Sequence, residues 1–457
     1  MGATGDSIRA LAEAMPVPPT SGMWFPVIVF VVVYVLIASE KVDKTIAAGL
    51  GAAAVIMFRA ISYDKALEYV DLNVVFLLVG MMMIVGVLAQ TGIFEWMAIL
   101  VARKTRGSGP AVMSLLLLLT AVISAFLDNV TTVILIAPIT ILVCQILELP
   151  VIPFLILEAV FSNLGGTATL IGDPPNIMIG SRVHLSFNEF AAHLTPAIAV
   201  ITAVSLVAVL AVYRKRLAVR EVVRRRIDKT DPAAAITDHR NLRRGLVVFA
   251  LVLAGFFLGR VLSVEPGIVA LAGGLLITLV CRSDIHKVVM KVEWNTLVFF
   301  IGLFMLVGAM QENGVFAWLG REIVILTRGD LLATTIVILW VSALASAVVD
   351  NIPLVMAMIP LIQAIIPVFA AQMGLAGDEA AVHAQIAYPL FWALSLGACL
   401  GGNGTMIGAS ANVVISQIGR RNGYDMTFWR FTKLGFPLMI LSVVLSTLYL
   451  WVRYFLL

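Results

Sequence analysis

Two aspartate–asparagine pairs, Asp128-Asn129 and Asp350-Asn351, stand in strongly apolar sequence 222 residues apart. A carboxylate among apolar residues is costly in lipid, so its presence needs a use. It can bind a cation, take up a proton, or cap the start of a helix. Each pair is followed by a glycine-rich polar string. The first reads SNLGGTATLIGDPPNIMIG from Ser162 to Gly180, and the second reads ACLGGNGTMIGASANVVIS from Ala398 to Ser416. From the first half, the candidate solute- or ion-binding residues are Asp128, Asn129, Thr131, Thr132, Asn163, Gly165, Gly166, Thr167, Thr169, Asp173 and Asn176. From the second they are Asp350, Asn351, Gly402, Asn403, Gly404, Thr405, Ser410 and Asn412. Amide and hydroxyl oxygens can hold a cation or a small polar solute, and a titrating carboxylate can couple that binding to protons. Asp128 and Asp350 are the candidates for proton coupling.

Structural uses compete with each of these roles. Asp128 and Asp350 precede apolar runs, where Asp is a favoured helix cap; capping and coupling are compatible. Asp173, in Gly-Asp-Pro-Pro, has the make-up of a turn residue. Asn176 and Asn412 can serve as ligands or satisfy interrupted backbone. The glycine pairs permit bends and close packing. Glu158 lies before the first string and matches Leu394 in the second half; it is either a proton relay or an interfacial residue. Cys399 falls where Asn163 falls in the first half, and a lone membrane cysteine is usually a small packing residue.

The elements that must position these groups come in two copies. The offset of 222 also carries Asn73 onto Asn295, Gly80 onto Gly302, Gly86 onto Gly308, Trp96 onto Trp318 and Pro138 onto Pro360. Across the glycine-rich strings the offset becomes 236, and in the last span of each half it is 241. Apolar segments run over 24–39, 45–60, 73–90, 111–127, 131–147, 153–181 and 195–213, then 244–262, 266–281, 294–311, 331–348, 352–370, 385–418 and 435–452. The segments flanking each Asp-Asn pair are separated by three residues, as in a re-entrant hairpin whose tip ends inside the membrane. Glycines and prolines in the following segment predict a helix broken at mid-membrane. The fold expected is an all-α polytopic membrane protein of two inverted repeats, each with three spans, a re-entrant hairpin, a broken helix and a final span. The predicted organisation is a polar lead over 1–23, repeats over 24–213 and 244–457, and a basic linker over 214–243.

Composition supports this class and excludes others. The chain of 457 residues is 61% hydrophobic and only 13% charged, against about 25% charged in soluble proteins. The net charge of +4 gives no reason to propose nucleic-acid binding. Three scattered cysteines and five histidines predict no metal site, no disulfide framework and no cofactor. With no catalytic constellation, an enzyme is disfavoured. The basic stretch RKRLAVREVVRRRIDKTD reads as cytoplasmic under the positive-inside rule. Five crossings per half then put the N-terminus outside, together with Asp64, Glu68 and Asp71. Half-helices meeting at mid-membrane make an ion or solute site, and the two hairpin tips and two breaks are expected to converge there.

The strings LDNVTTVILIAPITI, SNLGGTATLIGDPPNIMIGS, VVDNIPLVMAMIPL and GACLGGNGTMIGASANVVISQI resemble the ion transporter superfamily. The nearest branch holds the melanosomal P protein and bacterial arsenite/antimonite efflux permeases. The resemblance implies a scaffold and a moving transport unit, often a homodimer, with the Asp-Asn pairs and both broken strings lining the site. It also implies a plasma (inner) membrane location and, for some members, a soluble ATPase partner. Aspartates at the tips, where the dicarboxylate-symporter branch carries Ser-Asn-Thr, disfavour an anionic substrate. The function expected is a proton-coupled efflux antiporter for As(III) or Sb(III). Alternatives are a sodium/proton antiporter and an anion or proton channel.

Overall fold

The computed structural model describes residues 20–38, 41–219 and 232–456. Most of the polar lead (1–19) and the middle of the basic linker (220–231) lie outside the described residues. Among the described residues every regular element is helical. In chain order the helices are α1 (Thr20–Ala38), α2 (Lys44–Met57), α3 (Tyr63–Glu68), α4 (Leu72–Ala89), α5 (Ile93–Lys104), α6 (Gly109–Ser124), α7 (Asn129–Leu147), α8 (Val151–Thr167), α9 (Pro174–Val183) and α10 (Phe187–Tyr213). They continue as α11 (His239–Leu262), α12 (Pro266–Val280), α13 (Ile285–Val289), α14 (Trp294–Glu312), α15 (Val315–Leu326), α16 (Leu331–Ser346), α17 (Asn351–Gln372), α18 (Glu379–Val382), α19 (Tyr388–Gly401), α20 (Ser410–Arg421) and α21 (Phe428–Trp451). Eight helices among the described residues are long and apolar enough to cross a membrane. The protein is an all-α polytopic membrane protein.

Helix starts keep the sequence offset. Lys44, Tyr63, Leu72, Ile93, Gly109 and Asn129 begin helices, and so do Pro266, Ile285, Trp294, Val315, Leu331 and Asn351, each 222 residues on. Each half also holds a short helix that the sequence reading left out, α5 and α15, each of 12 residues. Glu95, Arg103 and Lys104 in α5, and Arg321 and Glu322 in α15, interrupt the apolar signal, and 12 residues fall short of the ~20 that a span needs. The chain bends by 119° between α15 and α16.

The chain forms two compact units that interleave its halves. Unit 1 comprises Met1–Asp71, Trp294–Gly401 and Val443–Leu457; unit 2 comprises Leu72–Glu293 and Gly402–Ser442. In unit 1, α2 packs on α14, α16 on α19, and α15 on α17. In unit 2, α4 packs on α12, α6 and α7 on α8, and α20 on both α7 and α8. Glycines set the closest of these approaches. In unit 2 a Cβ on Gly80 would overlap the Ala270 backbone, and one on Gly165 would overlap the Ala121 backbone. In unit 1 Gly302 lies in the same way on Ala48, and Gly401 on Ala343. These are the same glycine–alanine pairs at the repeat offsets.

Candidate functional site

The polar residues gather where helices start or stop. Asp128 is the N-cap of α7, its carboxylate accepting from the Thr131 N–H at 2.9 Å and from the Thr131 hydroxyl. Helix α8 ends at Thr167, and α9 restarts at Pro174-Pro175, where proline lacks only an N–H that would be unpaired anyway. Helix α19 ends at Gly401, a 3-10 turn covers Gly402–Gly404, and α20 starts at Ser410. A break leaves carbonyls without intrahelical donors, and a side-chain amide satisfies them at both places. Asn176 donates to the carbonyls of Thr167 (3.1 Å) and Thr169 (2.9 Å). Asn412 donates to those of Gly402 (2.8 Å) and Thr405 (2.9 Å). Both asparagines therefore mend backbone, and Asn412 keeps its oxygen for a second task.

That task joins it to a buried amide cluster in unit 2, centred on Asn163. The Asn163 amide donates to Asn403 Oδ1 at 2.9 Å and to Asn412 Oδ1 at 3.0 Å. Its own oxygen accepts from Asn129 Nδ2 at 3.0 Å. Thr167 donates to the Asn163 carbonyl at 2.7 Å, and Ser162 donates to the Asn129 carbonyl at 3.0 Å and accepts from the Ser124 hydroxyl at 3.1 Å. Thr169 donates to the Ala125 carbonyl at the hairpin turn. The cluster thus ties the hairpin tip to both breaks. Two buried groups beside it have no hydrogen-bond partner, Asn403 Nδ2 and Thr132 Oγ1. Among the described residues, no basic side chain hydrogen-bonds the cluster. Asp173, also buried, is the N-cap of α9. The glycines act sterically: Gly166 faces the Gly172 carbonyl, Gly402 faces the Gly408 carbonyl, and Gly404 lies in the turn.

Asp350 and Asn351 belong to unit 1 and have different company. Asp350 caps α17 through the Ile352 N–H at 3.3 Å and is ion-paired with Lys44 at 3.4 Å. Lys44 Nζ also lies 5.2 Å from the centroid of the Phe299 ring. Asn351 is buried at the start of α17. The two aspartates are therefore not equivalent. Asp128 is compensated by the Thr131 hydroxyl, where the second half has Pro353; Asp350 is compensated by Lys44, where the second half has Pro266. Sequence reasoning missed Lys44, which reads there as an ordinary residue at a helix end, and it missed Ser124 and Ser162. A separate cavity of about 320 Å³ in unit 2, lined by Asn73, Ser181, His184, Glu189 and Glu265 among others, contains none of the cluster residues.

The family model described as "Citrate transporter" matches residues 34–387. The chain belongs to this family. The matched span of this citrate-transporter-family chain holds both Asp-Asn pairs and the first break, and it ends before Gly401-Gly402. An uncharacterized transporter of Mycobacterium tuberculosis (strain ATCC 25618 / H37Rv) is 45% identical over 94% of this chain and 98% of its own. The 46 kDa membrane protein of Mycobacterium leprae is 41% identical over 93% and 97%. The human P protein is 33% identical over 92% of this chain and 59% of its own length. In fold, the chain is similar to the Alcanivorax borkumensis YdaH transporter, with a TM-score of 0.56 at 15% identity, covering 96% of this chain and 98% of that one. The protein is a membrane transporter of the ion transporter superfamily.

Proposed function

We propose that this transporter is a proton-coupled efflux antiporter for As(III) or Sb(III) carried as the neutral hydroxides. The observation behind this reading is the Asn163 cluster: buried amides, an unpartnered Asn403 N–H and Thr132 hydroxyl, and no basic hydrogen-bond partner among the described residues, with Asp128 next in sequence to its member Asn129. Once opened to a solute, such a set of groups hydrogen-bonds a small polyhydroxy molecule and disfavours a free anion. Asp128 accepts solute hydroxyls or a proton, and the Asp350–Lys44 pair supplies a second group whose charge balance changes during the cycle. The proposal includes two inverted repeats, an inner-membrane location with the linker cytoplasmic and the N-terminus outside, and a homodimer; a soluble ATPase partner belongs to it as an accessory.

Citrate is the second reading, favoured by the description of the family model. Its three carboxylates would meet Asp128 with no cation in the cluster, so it ranks below a neutral solute. The deciding experiment is uptake into everted vesicles or proteoliposomes under an imposed pH gradient, with arsenite, sodium and citrate in parallel. Gradient-driven arsenite accumulation supports the proposal. Sodium-dependent proton flux or citrate uptake, without arsenite movement, overturns it, and current without proton counterflow makes the protein a channel.

A further inference from the structure

A second buried carboxyl, in unit 2 but outside the amide cluster, has no structural explanation. Glu158, in α8, is 1% exposed. The Thr140 hydroxyl on α7 hydrogen-bonds Glu158 Oε1, and Oε2 has no hydrogen-bond partner. A third polar group on α20 is also buried and unpartnered, the Ser416 hydroxyl. Helices α8 and α20 run antiparallel. Asn163 meets Asn412 at 3.0 Å, and a Cβ on Gly419 would lie 3.3 Å from Leu155 Cδ1. Ser416 is on the same buried stripe, between Asn412 and Gly419, and so falls level with Glu158. Thr140 thus hydrogen-bonds Glu158, and Ser416 lies level with Glu158 on α20 without bonding it, about 7.5 Å along α8 from Asn163.

The internal repeat supplies a control. At the repeat offsets the three positions are occupied by Ile362, Leu394 and Gly180, all buried. Helices α17 and α19, which pack together in unit 1 as α7 and α8 do in unit 2, are therefore built with Ile362 and Leu394 in place of Thr140 and Glu158. That helix pair does not require the two polar groups, and burying them is costly.

We propose that Glu158, with Thr140 and Ser416, is a proton-binding site of the transport cycle separate from the hairpin-tip aspartates. This rests on the proton-coupled reading above. A lone buried carboxylate with one hydroxyl donor is poorly stabilised as an ion, so the state described is the protonated one. The proton enters from water on one side, is held on the carboxyl, and leaves to water on the other when that face opens. A hard metal cation takes about six to eight oxygen ligands, and three side-chain oxygens between continuous helices fall short of that. Among the described elements packed on α8, the titratable group near Glu158 is Cys144, one turn beyond Thr140 on α7. Helix α6 contributes none, Glu189 and His193 lie in the first two turns of α10, and Arg420 and Arg421 stand at the far end of α20, Arg420 bound to the Met426 carbonyl.

The test combines two readouts on the full-length protein in bilayers. In pH-titrated infrared difference spectra, which need no solute, the wild type should show a protonated-carboxyl band that Glu158→Gln removes and Asp128→Asn keeps. Thr140→Val and Ser416→Ala should shift the midpoint of that band, and they decide the matter if Glu158→Gln does not fold. In proteoliposomes Glu158→Gln should exchange one proton fewer per arsenite, lowering accumulation about tenfold per unit of pH gradient, with arsenite–arsenite exchange retained. A band that persists in Glu158→Gln, or a midpoint unmoved by both neighbouring variants, overturns the proposal, as does an unchanged proton stoichiometry. Wild type that moves no arsenite overturns the proposed function instead, and the spectra still decide Glu158.

Discussion

At the scale of single residues, the unit 2 site depends on amides that hold one another. Asn163→Ala removes the amide that holds three other buried asparagines, Asn129, Asn403 and Asn412. A buried polar group left unpaired costs about 1–3 kcal/mol. The variant should therefore melt lower than wild type in a detergent thermal-shift assay and lose transport. Asp128→Asn behaves differently, because asparagine caps a helix as well as aspartate does. It should keep its melting temperature and lose coupled flux; unchanged proton-coupled flux in Asp128→Asn would sink the role proposed for that carboxylate. In unit 1, Lys44→Met leaves Asp350 partly buried with its cation gone. The double variant Lys44→Met/Asp350→Asn should recover part of the lost stability, since unpairing one charge is worse than removing both. Of these residues, the Asp-Asn pairs and the asparagines were legible in the sequence, because polar types in apolar runs stand out. Lys44 was not, because a lysine at the start of an apolar helix is commonplace and nothing local points to Asp350.

At the scale of elements, glycine decides how closely helices pack. Gly165→Val would drive a side chain into the Ala121 backbone, and Gly401→Val into the Ala343 backbone. Both variants should fail to give monodisperse protein in size-exclusion chromatography. Gly49→Ala is the control: no atom lies within 4 Å of its added Cβ, so it should be neutral or raise stability by about 0.5–1 kcal/mol. The helix breaks at 168–173 and 402–409 follow from glycine and proline chemistry that sequence displays directly. Helices α5 and α15 escaped notice because their charged residues dilute hydropathy, and a 12-residue helix has no length signature in a membrane chain.

At the scale of the whole molecule, the proposed orientation is open to direct test. Cys144, Cys281 and Cys399 are buried, so new surface cysteines can be read against a quiet background. Asp64 and Asp425 are exposed. On the proposed topology, Asp64→Cys should react with an impermeant maleimide added outside intact cells, and Asp425→Cys only after the cells are opened. The reverse pattern would invert the topology. Composition, the doubled motifs and the punctuated helices were sufficient, from sequence alone, for an all-α polytopic membrane protein and for the set of polar residues worth watching; the superfamily came from the resemblance of the motif strings to a known family. Only the tertiary structure decided which of them meet. Asn163 bonds Asn403 and Asn412 across 240 and 249 residues of chain, and Lys44 reaches Asp350 across 306. In a dry interior every polar group seeks a partner. A sequence displays the supply of donors and acceptors, but their pairing depends on how helices far apart in the chain are brought side by side.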